Sequence, residues 1–443
     1  MATLNLGVRY DFNRPVYEAQ DRFSIPDLDN PDGGYIRVGT QGIPRGRYFA
    51  DKNNVAPRLG VAWMPFGSSR SVVRAGYGLY LDSGILNANI LSHFNPPFFS
   101  LDLVLGPPSL TDAFSGANLP ISFAAGVAED YRDGYFHQFS AGVQHELTPN
   151  LLVDVAYVGS RGRNLQLAVD PNQGPPGGPP TRNPAFGPAL IITSAGESSY
   201  DSLQIRVERR FRGGFSFLSA YTGSRSRDNG SSWMALSTAL PGLPQNSFDL
   251  DSERGPSEFD SPHRWVLSYI WELPFGRGRP FLKNGGAAAA ILGNWELAGI
   301  AAFHSGRPFT AYYGASANFS GTSNGANGGS GFDRPNQTGN PVLRDPDPSL
   351  WFDRAAFTPP DNTFGAVGRN TLRGAPTQNF DVALYKNLRL GEAITLQLRV
   401  EFFNAFNTPH FFLPVNDLTS GNAGRVLGAS DSRQIQFGLK LNY

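Results

Sequence analysis

The sequence predicts an all-β fold, a transmembrane antiparallel β-barrel wall of about twelve strands. Three observations carry this. About twelve segments alternate apolar and polar residues with a period of two. The connections between them are long and short in turn. The chain ends on such a segment, QIQFGLKLNY, with Ile435, Phe437, Leu439, Leu441 and Tyr443 on one face and Gln434, Gln436, Gly438, Lys440 and Asn442 on the other.

The alternating segments are 2–10, 57–64, 71–81, 137–147, 150–159, 200–211, 214–224, 263–273, 294–306, 379–390, 394–406 and 434–443. The cleanest is ITLQLRVEFF, which separates Ile394, Leu396, Leu398, Val400 and Phe402 from Thr395, Gln397, Arg399 and Glu401. Long stretches, 11–56, 82–136, 160–199, 225–262, 307–378 and 407–432, alternate with the short turns MPFGSSRS, LTPN, RFRGG and LGEA and the intermediate 274–293. In an antiparallel meander all long connections then gather at one end, as in outer-membrane barrels with long extracellular loops and short periplasmic turns. Ten residues at about 3.3 Å each, tilted by about 40–45°, span the apolar band of roughly 25 Å. Lipid supplies no hydrogen bonds, so only helices or closed barrels cross it. No stretch approaches the roughly 18–20 apolar residues of a membrane helix. The nearest, 286–303, is interrupted by Asn294 and Glu296 and reads as a turn leading into a strand. Connections of more than thirty residues suit a string of soluble sandwiches poorly.

In a barrel the last strand pairs with the first, so a chain can finish inside a strand without leaving an edge. Tyr443 would then sit at the periplasmic interface, where aromatic rings prefer the headgroup level. Met1 opens directly onto ATLNLGVRY, without a basic head or an apolar run. Either export is not needed or the true N-terminus lies upstream.

Lys+Arg and Asp+Glu are both 37, so the net charge is zero and no basic face for nucleic acid is expected. Charged residues are 17% of the chain, below the roughly 25% of soluble domains. The chain has no cysteine, which removes disulfides and thiolate metal sites. Its six histidines form no metal-ligand spacing, and no nucleophile elbow or phosphate loop occurs. No enzyme activity, cofactor or metal is expected. His137 and His145 read as interfacial or lumen residues. DLDNPDGG departs from a calcium loop because Pro31 stands at the fifth position, and reads as a surface turn. PNQGPPGGPP reads as a stiff exposed loop. The polar faces would point Arg58, Arg74, Gln144, Gln204, Arg206, Glu208, Arg264, Glu296, Asp381, Arg399, Glu401 and Lys440 into the lumen. Their mixed signs predict internal ion pairs and contacts to a plug rather than an ion filter.

Longer stretches carry a family resemblance. They are NNVAPRLGVAWMPFGSSRSVVRAGYGLYLD (53–82), SPHRWVLSYIWELPFGRGRPF (261–281), GNWELAGIAAFHSGRPFT (293–310), LWFDRAAFTPPDNTFGAVGRNTLRGAPTQNFDVALYKNLRL (350–390) and RVEFFNAFNTPHFF (399–412). In this order the chain resembles the C-terminal barrel region of the Oar-like TonB-dependent receptors. The resemblance implies a barrel of about twenty-two strands around an N-terminal plug and TonB-driven uptake of a bulky solute across the outer membrane. It reads 1–443 as one barrel region, about half of such a wall, with the plug absent. QIQFGLKLNY is similar to the terminal assembly signal of outer-membrane proteins. The implied partners are outer-membrane lipid, the barrel assembly machinery, an unknown solute, and plug and TonB if an upstream part exists. The alternatives are a plug-free outer-membrane porin or adhesion barrel, and a soluble secreted carbohydrate-binding β-protein.

Overall fold

Twelve strands, each bonded to its neighbour in chain order, build one antiparallel wall. They are β1 (Ala2–Tyr10), β2 (Val55–Trp63), β3 (Ser71–Asp82), β4 (Gly134–Thr148), β5 (Leu151–Val169), β6 (Leu190–Arg212), β7 (Phe215–Asp228), β8 (His263–Glu272), β9 (Trp295–His304), β10 (Thr377–Arg389), β11 (Thr395–Phe403) and β12 (Gln434–Asn442). Every segment predicted from periodicity is one of them. The computed structural model describes all residues except 33, 68–69, 85–90, 100, 106–116, 122–123, 180, 233–242, 277, 285, 315–316, 323–332 and 391–393. The turn LGEA thus lies largely outside the described residues.

Directly opposed residues in an antiparallel pair point to the same side, so the register assigns faces across the wall. One face carries Leu4, Leu6 and Val8, opposite Val61, Leu59 and Pro57. It continues through Val143 and Val155, Ile205, Tyr221, Trp265, Phe303 and Phe380. It ends in Leu398 and Val400, opposite Leu439 and Phe437. Its side chains are half-exposed in the middle of the wall and bare at its edges, where Phe437 is 76% exposed and Leu439 70%. The clusters of buried apolar residues lie elsewhere, centred on Tyr131 and Ile192, on Phe309 and Phe352, on Leu28 and Phe186, and on Phe23 and Val38. They belong mainly to the long connections. A soluble sandwich would bury its strand faces against a second sheet; this wall leaves them to lipid.

Three features differ from the sequence expectation. First, β5 and β6 run on to Val169 and back from Leu190, through a stretch expected to be loop. Apolar alternation stops near Gly159, but the ladder continues to Val169 opposite Ile191. Second, Ala287–Leu292 forms a short helix, α1. Its four alanines favour helix. Trp295 Nε1 donates to Ile291 O at 2.9 Å, and Lys386 Nζ donates to Ala290 O at 2.7 Å and Ile291 O at 3.0 Å. Carbonyls of the last turn, orphaned in any helix, are thereby satisfied. Third, β1 bonds only to β2 and β12 only to β11. Among the described residues the pairing of last strand with first that would close a twelve-strand barrel is not made, and the outer edges of β1 and β12 have no strand partner.

The six long connections are joined to one another at one end of the wall. Asn13 and Asn54 donate to Asp133 at 3.0 and 2.7 Å. Arg182 pairs with Asp29, so one carboxylate of the calcium-like turn is already occupied. Gln173 Nε2 donates to Gln245 O at 2.7 Å. Arg334 meets Glu253 at 2.8 Å, both about 5% exposed, while Arg369 pairs with Asp228 and Arg373 with Asp260. Asn416 Nδ2 donates to Thr310 O at 2.7 Å.

Two predictions concern this loop layer. Arg334→Met leaves the Glu253 carboxylate buried without its cation and should cost about 3–5 kcal/mol, seen as a lower Tm in detergent; replacing exposed Arg22, paired with Glu18, should cost little. Asp170 is buried, accepts from Asn172 N and Ala189 N at 2.9 Å each, and its Oδ2 has no partner among the described residues. Burial pushes its pKa up from 3.8 to about 6. The folded state therefore holds this proton to higher pH than the unfolded chain. Its stabilisation is complete below about pH 4 and is lost as pH rises through 6. Asp170→Asn should gain stability relative to the parent between pH 4 and pH 6.5 in parallel thermal melts.

Candidate functional site: the polar face of the wall

The second face of the ladder collects the polar half of every alternation. Arg58 stands opposite Gly78 and Arg74 opposite Ala62. Gln144 stands opposite Asp154. Gln204, Arg206 and Glu208 face Ala156, Asp154 and Leu152. Arg264 faces His304, and Glu296 faces Glu272. Asp381 lies opposite Ile300, Arg399 opposite Tyr385 and Glu401 opposite Ala383. Lys440 closes the series opposite Gln397. All twelve polar residues singled out from the sequence fall on this one face. Ile435, Phe437, Leu439 and Leu441 fall on the other, and Tyr443 follows just beyond the strand, 98% exposed.

The contacts on this face are local. Arg206 pairs with Glu208 along one strand. Arg399 donates from Nε to Gln397 at 2.7 Å and lies 5.2 Å from the Tyr385 ring centroid. The Tyr385 hydroxyl reaches Glu401 at 3.3 Å. Asp381 accepts from Asn379 at 3.0 Å and from the Asn404 backbone at 2.9 Å. Arg58 stacks over Tyr80 at 4.6 Å. Internal pairing, expected from the mixed signs, is thus made partly by amides and rings.

Polar-face residues of six adjacent strands, β6 to β11, line one cavity of about 720 Å³. Six strands at about 4.8 Å spacing are too wide to share a cavity unless the sheet curves towards that side. Its floor is apolar, with Leu218, Ile270, Ile300 and Phe403; its charged groups are Arg206, Arg209, Arg210, Glu208, Asp381 and Glu401. Period-two reading missed Ile270, Ile300 and Tyr385, because it assigned only polar residues to this side. Further round the wall, the same face is lined by Gly60, Gly76, Gly78 and Gly142. Gly142 is closed to a side chain, since a Cβ would lie 2.9 Å from that of Ala156.

The histidines divide between the faces. His137 and His145 share the apolar face with Val143, where His137 Nδ1 meets the Tyr77 hydroxyl at 2.7 Å and His145 Nδ1 meets Ser71 at 2.8 Å. Both therefore lie with the apolar face, not among the polar-face residues. Among the described residues no group of three or more His, Asp or Glu could hold a metal ion, and no helix is long and apolar enough to cross a membrane. The arrangement offers a curved surface of fixed mixed charge with an apolar floor, suited to holding a large polar body by many weak contacts.

Among solved structures, the chain is similar in fold to the outer membrane transporter YddB of Escherichia coli, at 10% identity and a TM-score of 0.47 over 89% of this chain and 41% of that one. It is also similar to the FrpB iron transporter of Neisseria meningitidis (F5-1 variant), at 12% identity and a TM-score of 0.45 over 100% and 43%. The siderophore receptor PiuA of Acinetobacter baumannii matches at 11% and 0.43 over 92% and 38%. The chain spans about two fifths of the length of these transporters. No curated protein matches it. The family model of the outer membrane beta barrel domain matches residues 2–436, nearly the whole ladder, and with that match the chain belongs to the outer-membrane β-barrel domain family.

Proposed function

We propose that this wall is part of a larger outer-membrane barrel of the TonB-dependent receptor kind, and that its polar face contacts a plug and a bulky solute taken up across the outer membrane. The open edges carry this reading. Strand edges expose unpaired N–H and C=O groups, which lipid cannot satisfy, and both β1 and β12 present such an edge. Further strands between them satisfy both. The Oar-like resemblance of the sequence supports the same reading, and the mixed-charge face supports contact with a folded plug rather than selection of a single ion. In this reading no chemistry is catalysed. Ile435, Phe437, Leu439, Leu441 and Tyr443 meet lipid and present the terminal signal to the barrel assembly machinery.

The rival is a complete, plug-free barrel closed by β1 on β12. Because the chain has no cysteine, engineered pairs report strand contacts cleanly. Leu6→Cys with Leu59→Cys, which are ladder partners, should cross-link in membranes. Leu6→Cys combined with cysteine at Ile435, Phe437 or Leu439 should not. An efficient disulfide in any of these three pairs would establish closure and sink the larger barrel.

The two faces of β12 give a second test. Lys or Arg within the lipid-facing band costs about 2–4 kcal/mol near the midplane and far less in a lumen. Leu439→Arg should abolish the heat-modifiable, membrane-inserted form, while Gln436→Arg should retain it. Equal behaviour of the two variants would remove the assignment of lipid and lumen faces.

A further inference from the structure

Above the apolar band, the lipid-side face of β5–β7 changes character within one row of the ladder. Tyr157, Leu203 and Gly223 form the last uncharged row. The next holds Gly159, Asp201 and Arg225, and the one after it Arg161, Ser199 and Arg227. Arg163 follows and meets Glu197 at 3.5 Å, and Arg254 reaches the same carboxylate at 3.4 Å. Five guanidinium groups therefore share one outward patch with two carboxylates. Asp201 is engaged by Arg161 at 2.8 Å and by the Tyr157 hydroxyl. Arg225 is exposed and directly opposes Asp201 in the ladder. The patch carries surplus positive charge on the side that faces away from the polar face and its cavity.

We propose that this patch binds phosphate groups on the headgroup of an anionic lipid in the leaflet at the long-loop end of the wall. Guanidinium forks match phosphate oxygens bidentately, and basic residues at the membrane surface attract anionic lipid. The level fits a headgroup. Arg161 lies 5.5 Å from the Phe139 ring centroid, and just below come Tyr157, Tyr221 and Trp265 on the same face. Aromatic rings of this kind sit at the membrane interface. Leu203, level with Tyr157, and Val155, one row below it, offer exposed apolar surface for acyl chains. Arginine on a lipid-facing position deep in the band would be costly; grouped above it, the same residues find charge complementarity in phosphate.

The proposal rests on the reading of the apolar face as lipid-facing. The test uses the full chain in neutral detergent, with thermal unfolding followed as lipid A is added. Bisphosphorylated lipid A should raise the Tm saturably, whereas its dephosphorylated form and inorganic phosphate at equal concentration should not. Arg163→Gln with Arg225→Gln should weaken half-saturation about thirtyfold, each basic residue contributing about fivefold. Arg344→Gln, on an exposed loop strand, should match the parent. An equal shift from dephosphorylated lipid A, or an unaltered response of the double variant, overturns the proposal. A full shift from inorganic phosphate makes this a free-anion site and overturns the lipid assignment. Quenching of Trp265 fluorescence by brominated acyl chains reports separately whether the apolar face meets lipid at all.

Discussion

The inter-strand hydrogen bond governs this molecule. A lipid environment offers no competing donor or acceptor, so each backbone group in the wall must find its partner on a neighbouring strand. That requirement fixes the meander, because consecutive strands can satisfy one another through short turns. It also fixes the faces. Once the register is set, a one-residue slip would exchange every apolar side chain for a polar one; the shifts that occur sit near strand ends, at Leu151, between Gly162 and Leu167, and between Arg209 and Arg212, and leave the central rows in one register. The same requirement makes the two unpartnered edges the principal unsatisfied feature of the wall.

Hydrophobic burial, dominant in most folds, is displaced here to the long connections. Phe309, Phe352 and Val38 are almost fully buried, and all lie in the long connections. The wall is stabilised by its ladder and by lipid; the loop layer is stabilised as a small soluble protein is, with apolar clusters and buried ion pairs. Lys386 and Trp295 hold α1 at the opposite end, leaving Ile291 and Leu292 bare beside the wall.

The wall was legible in the sequence because its physics is local and periodic. Alternation identified each strand, and parity then carried Arg58, Arg206, Asp381 and Glu401 to one face without any knowledge of the neighbours. The signal failed where the environment changed rather than the conformation. β5 and β6 stay extended past Gly159, but Arg161, Arg163 and Ser199 no longer alternate with apolar residues, so the hairpin read as a loop. Sequence could place polar residues on the inner face but not Ile270 and Ile300, whose cavity exists only because six strands curve together. The loop layer was illegible for another reason: Arg369 finds Asp228 across 141 positions, and no short-range pattern encodes such a contact.

That layer has a mechanical consequence. The described parts of its six connections are chained one to the next, through Asp133, Asp29, Gln245, Glu253 and Asn416, and so are tied into one unit. Displacing one strains its neighbour, through a buried contact at Glu253 and Gln245 and through an exposed ion pair at Asp29. In the proposed uptake, traffic at this end of the wall would be collective: the threshold for passage would be set by the linked canopy yielding together, and a large visitor that engages several connections at once would have more leverage than a small one that touches only one.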